Sequence, residues 1–193
     1  MLTYHRNPLN LVCDQTLASA IVDMQLLSQI TTRIRLYNAE CNQTAIVLEA
    51  IKQTKTNLKV FPSIYVSEKD EVSYQRQRTS LQQALQTYGK DNVPGIIVGN
   101  QFMLNYTLGH NATDTNSTVG VNAAAILKGR IADIRQMLTS MSLDIPVGTA
   151  EVGGFFNVDL LGGVDFGCAF VSQYPGTEVA NDILFIMILL LFF

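Results

Sequence analysis

Apolar residues along this chain recur with two alternating periods. Leu17, Ala20, Ile21, Met24 and Leu27 step at helical spacing. Residues 33–37 (RIRLY) then alternate with period two, as a strand does. Asn42 is placed to cap a helix carrying Ile46, Val47, Ala50 and Ile51, and residues 58–64 read as the next strand. Ser67 and Asp70 mark a helix start, Leu81, Ala84, Leu85 and Tyr88 form its stripe, and Gly89 stops it. Residues 93–99 (VPGIIVG) read as a buried strand, and residues 105–118 as a polar loop. Leu127, Ile131, Ile134, Leu138 and Met141 form the clearest helix. Residues 145–149 and 164–171 are further strands, and residues 2–5 a weak first one.

Apolar strands that alternate with helices predict an α/β fold, a parallel sheet with helices outside. An open doubly wound sheet loses support, because neither G-x-G-x-x-G nor a Walker A motif is present. The alternative is a (β/α)8 TIM barrel, here an incomplete one with about six strand–helix units of eight. The expected organisation is a barrel portion over residues 1–175 and an apolar tail over residues 176–193. Residues 183–193 (ILFIMILLLFF) are continuously apolar. A membrane span needs about 20 such residues, so membrane contact by this tail is a weak expectation. A product running out of its true frame explains the tail most simply, and a buried helix is the competing reading.

Composition narrows the partners. Of 193 residues, 48% are hydrophobic and 15% charged, which suits a globular domain. A net charge of −3 with no Lys/Arg-rich run argues against nucleic acid. Four N-x-S/T sequons begin at Asn42, Asn105, Asn111 and Asn116. The last three cluster, which makes them glycosylation candidates and predicts a secreted, cell-wall or cell-surface glycoprotein. Residues 4–7 break any leader-like apolar run, so a leader is read as lying outside this sequence. Cys13 and Cys41 could pair in an oxidising compartment; three buried thiols fit the spacing equally well.

Catalytic groups of a barrel sit at the C-terminal ends of its strands. Those positions hold Asn38, Ala39 and Glu40, then Asn100 and Gln101, then Ala150 and Glu151, then Gln173 and Tyr174. Such a polar, amide-rich rim suits neutral, hydroxylated ligands. Tyr37, Asn38, Asn100 and Glu151 are candidate ligand-binding residues on one face. His5 and His110 have no partners at metal-ligand spacing, so no metal is expected, and no cofactor either. Without a G-x-S-x-G elbow there is no hydrolase triad to propose. Cys168, inside an apolar strand, reads as a structural thiol.

These blocks resemble glycoside hydrolase family 17 in its fungal branch. RIRLYNAECNQT (33–44) is similar to the family's strand-two block, GIIVGNQ (95–101) to its "VGNE" block, and PVGTAEVGG (146–154) to its "PVTTAD" block. Val164–Phe166 and Asn7–Leu9 match further segments, and the order is preserved over residues 4–175. The resemblance implies a retaining (β/α)8 enzyme that hydrolyses or transfers 1,3-β-glucan of cell walls. It also places the family's acid/base glutamate where this chain has Gln101, and the family's sugar-binding Asn at Asn100. A retaining glycosidase needs two carboxyl groups about 5 Å apart. The implied nucleophile belongs to a seventh strand, beyond those read here. Glu151 falls where the family's acid is not the nucleophile. The expectation is therefore a β-glucan-active family member with impaired catalysis. The alternatives are a non-catalytic glucan-binding fragment and a non-functional truncated product.

Overall fold

The computed structural model of the chain describes residues 1–4, 13–171 and 186–191. His5, the 7–9 segment, Gln173 and Tyr174 lie outside the described residues. The elements run β1 (Leu2–Tyr4), α1 (Leu17–Leu27), β2 (Arg33–Leu36), α2 (Gln43–Thr54), β3 (Lys59–Phe61), β4 (Ser63–Ile64), α3 (Glu71–Tyr88), β5 (Ile96–Asn100), α4 (Phe102–Gly109), α5 (Thr118–Ser140), β6 (Val147–Val152), α6 (Val158–Leu161), β7 (Phe166–Val171) and β8 (Ile186–Leu191).

The sheet order is β3-β2-β1-β8-β7-β6-β5-β4. Its two end strands are consecutive in the chain, separated only by Pro62, which has no N–H for the ladder. One stretch, residues 59–64, thus pairs with β2 on one side and β5 on the other. The ring of strands is closed. All pairings from β1 through β7 are parallel and follow chain order, so six strand segments build the (β/α) barrel wall.

Within the apolar run expected as a tail, residues 186–191 form strand β8. It runs antiparallel to β7 from Phe166↔Leu191 to Val171↔Ile186 and meets β1 at Leu2↔Ile186. A short apolar run suits a buried strand as well as a helix, and here two neighbouring edges take it up. Among the described residues, no helix is long and apolar enough to cross a membrane.

Alternation along each strand sorts side chains into two cores. Ile34, Val60, Ile64, Ile96, Val98 and Val147 pack with residues of α1 through α6. Phe61, Ile97, Ala150, Phe166 and Cys168 form a second cluster, joined by Phe170 and Met1, to which no helix contributes. That second cluster is the barrel interior. Outside, Tyr74 on α3 donates to Asp133 Oδ2 on α5 (2.6 Å), Arg78 Nε donates to the same oxygen (2.9 Å), and Arg130 pairs with Glu71.

Local signals held for α3. Asp70 accepts from Ser73 N, and Gly89, with φ 69°, ends the helix. Two readings need correction. Asn42 precedes α2 but has a left-handed backbone (φ 57°) and makes no side-chain cap. Asn tolerates that region, and its neighbour Cys41 (φ 55°) shares it. The polar loop over 105–118 begins with a helix, α4, because Phe102, Met103 and Thr107 are buried.

Candidate functional site

Gly99 sets the geometry of the mouth. β5 pairs regularly with β6 at Ile96 and Ile97, then shifts register before Asn100. The shift falls at Gly99, whose φ of 87° is open to glycine and rarely to other residues. A Cβ there would also lie 2.8 Å from Leu127 Cδ1 and 3.1 Å from Thr149 Oγ1. Simple alternation from Ile97 would send Asn100 outward. The bulge turns it inward instead, where its Oδ1 accepts from Arg35 Nη2 at 2.6 Å.

Arg35 is a charged residue of the interior. It alternates with Ile34 and Leu36, which pack on the helices, so it points into the barrel. It has no exposure, and its guanidinium carbon lies 5.1 Å from the Phe170 ring centroid and 5.9 Å from that of Tyr37. Burial pulls its pKa down to about 10, opposed by Cys168, Tyr37 and Glu151. It remains a cation at neutral pH. Tyr37 stacks on Tyr65 with centroids 6.2 Å apart. Burial and then Tyr65 raise its pKa, while Arg35 and the Asn100 side chain lower it. Cys168 is a free, buried thiol raised to about 12 by burial.

Gln101 follows directly. Its N–H donates to Ala150 O at 2.8 Å, its backbone is left-handed (φ 58°), and it stands half-exposed at the start of α4. Asn38, also half-exposed, accepts from Glu40 N at 3.0 Å. Tyr37, Asn38 and Gln101 therefore stand at the C-terminal rim, above a buried floor of Arg35 and Asn100.

Glu151 lies elsewhere. It is within β6 rather than after it, and it alternates with the interior residue Ala150, so it points outward beneath α4. Its Oε1 accepts from Met103 N at 2.9 Å. Burial raises its pKa to about 8, against the backbone N–H groups of Met103, Leu104 and Phe102 and the charge of Arg35. With no exposure, it cannot touch a ligand in this conformation. The expectation of direct contact is corrected to one of support: Glu151 supplies the cap that α4 lacks locally.

Two residues at the site went unread in the sequence. Arg35 sat inside an alternating strand, where a charge at an inward position is the available signal. Gln77 on α3 accepts from Tyr65 N (2.8 Å) and Ala39 N (3.3 Å) and donates to Tyr65 O (3.1 Å), tying the ends of β2 and β4 together. A glutamine in a polar helical run carries no such signal. Glu40 turns away from the mouth to Arg76, whose Nε and Nη2 lie 2.8 and 2.7 Å from its two carboxylate oxygens. Cys13 and Cys41 are joined by a disulfide with Cα atoms 5.2 Å apart, tying the segment before α1 to the turn between β2 and α2. Asn105 lies on α4, while Asn111 and Asn116 stand exposed in the turns before α5. Among the described residues, no group of three His, Cys, Asp or Glu could hold a metal ion.

The family model of the BtgE/BtgC glycoside hydrolase domain matches residues 2–180. The chain belongs to that family. The family-17 resemblance of the sequence blocks is thereby upheld as a GH17-type glucanase family. The btgC protein of Aspergillus niger, named as a glucan endo-1,3-beta-glucosidase, is 30% identical over 162 residues, covering 83% of this chain and 22% of its own length. A glucan 1,3-beta-glucosidase of Schizosaccharomyces pombe is 28% identical over 133 residues, covering 68% of this chain and 36% of that one. The BtgE/BtgC-type chain described here thus spans well under half of these relatives. An active-site mutant of Rhizomucor miehei beta-1,3-glucanosyltransferase, solved with laminaritriose, superposes with a TM-score of 0.63 at 22% identity, over 86% of this chain and 54% of that one. This likeness supports the barrel fold.

Proposed function

We propose that this chain is a 1,3-β-glucan-binding member of its family whose mouth does not perform acid/base hydrolysis. Gln101 carries the reading. It occupies the rim position, after the Gly99 bulge and Asn100, where the family resemblance implies the acid/base glutamate. A carboxamide can donate a hydrogen bond to a glycosidic oxygen but cannot hand it a proton at neutral pH. General acid catalysis contributes typically about 10²–10⁴-fold. The names of the relatives support a β-glucan ligand, and the half-exposed Tyr37, Asn38 and Gln101 offer an aromatic face and amide groups to a neutral sugar. The disulfide and the clustered sequons support passage through an oxidising secretory compartment and a place at the cell wall or surface.

The test is laminarin. The chain should bind laminari-oligosaccharides, lose that binding on Tyr37→Ala, and release no reducing sugar. Clear turnover by the unmodified chain would refute the impaired reading. Absence of binding in a chain with native circular dichroism would remove the glucan reading as well.

A further inference from the structure

One motif plays no part in the barrel mouth: the sequon Asn105-Tyr106-Thr107. The polar-loop reading made it equivalent to the sequons at Asn111 and Asn116. The structure separates it from them. Asn105 is exposed on α4 and lines a cavity of about 210 Å³ with Tyr65, Val66, Glu68, Lys69 and Tyr106. Pockets for drug-sized ligands typically run about 300–1,000 Å³, so this one suits a single sugar ring. Two of its lining residues, Tyr106 and Glu68, are also held by His110. The His110 ring stacks on Tyr106 with centroids 4.4 Å apart, and His110 Nε2 is 3.3 Å from both carboxylate oxygens of Glu68. Tyr65, which stacks on Tyr37, stands between this cavity and the mouth.

We propose that Asn105 carries an N-linked glycan whose first N-acetylglucosamine lies in this cavity and braces α4, the helix that begins at Gln101. The proposal rests on the secretory reading above. In the modification, Asn105 Nδ2 forms the bond to the anomeric carbon of a polyprenyl diphosphate-linked oligosaccharide. The bond from that carbon to the diphosphate breaks, the diphosphate leaves with the electron pair, and the amide gives up one proton. The step precedes folding of α4. In the folded helix Thr107 is fully buried, and its hydroxyl donates to Met103 O at 2.6 Å, so the sequon's third residue is hidden. Once α4 has formed, the sugar ring meets the tyrosine surfaces, and its hydroxyl and acetamido groups meet Glu68 and Lys69.

The experiment uses the full chain, secreted from a eukaryotic host behind a cleavable leader. Glycopeptide mass spectrometry reads each sequon, before and after treatment of the native protein with an amidase that cuts the Asn–sugar bond. Asn105 should be occupied, and its glycan should be released at least tenfold more slowly than those at Asn111 and Asn116. Denaturation should abolish the difference. A Glu68→Ala/Lys69→Ala variant should keep occupancy and lose protection. Release from Asn105 at the same rate as from its neighbours overturns the proposal. So does an empty Asn105 beside occupied Asn111 and Asn116, an outcome that leaves the secretory reading standing. A chain bare at every sequon removes the support for both.

Discussion

Arg35 and Glu151 are both without solvent exposure, yet they sit on opposite faces of the same wall of strands. Arg35 points into the barrel, where Asn100 Oδ1 accepts from it and aromatic rings line its flanks. Glu151 points outward, where the first N–H groups of α4 meet it. Burial acts against the charged form of each. The guanidinium starts so far above neutrality that a fall to about 10 leaves it charged. The carboxyl, raised to about 8, is mostly protonated at neutral pH. The same desolvation thus leaves a cation inside the barrel and a mostly protonated acid under the helix. Among the described residues, the floor of the mouth carries the Arg35 cation.

The largest expected effect tests that asymmetry through pH. The folded pKa of Glu151 lies above its unfolded value, so its contribution to stability is fully present below about pH 4.5. It is lost as pH rises through about 8. The full shift corresponds to at most about 5 kcal/mol. Urea unfolding from pH 4.5 to 9 should show a decline that Glu151→Gln flattens. An equal slope in both proteins would mean Glu151 is ionised when folded, and the contrast with Arg35 would collapse.

Arg35→Ala comes next, with a loss of about 3–5 kcal/mol. It opens a void in the closed barrel and leaves buried Asn100 Oδ1 without its donor. A loss below about 1 kcal/mol by urea denaturation would show that the interior charge supports nothing. Gly99→Ala should cost about 2–3 kcal/mol, because it combines positive φ with a clash against Leu127. It should also weaken laminari-oligosaccharide binding, since Asn100 would lose its inward turn. The smallest effect is Glu151→Gln at about pH 4, within about 1 kcal/mol, because there the carboxyl takes up little proton on folding; toward pH 8 the variant should become the more stable of the two. The amide offers Met103 N–H an acceptor oxygen much as the neutral acid does. A loss above about 3 kcal/mol at pH 6 would again indicate an ionised Glu151.

Much of this was readable from residue order, because the signals are local. Apolar alternation placed six strand segments, Asp70 and Gly89 bounded α3, and Gln101 was read at the rim as a residue following a strand, whereas the bulge at Gly99 was not read. These rest on backbone preferences and periodicity, which act between near neighbours. Contacts distant in sequence decided the rest. α4 has no capping side chain at its start, so nothing in residues 101–109 announces it; the cap arrives from Glu151, 48 residues away. The period of β6 places Glu151 opposite Ala150, but only closure of the ring makes one face interior and the other a seat for α4. Residues 186–191 are apolar enough for a strand or a helix. The free edges of β1 and β7, brought together by the barrel, made them a strand, because unpaired backbone groups at a buried edge must find partners.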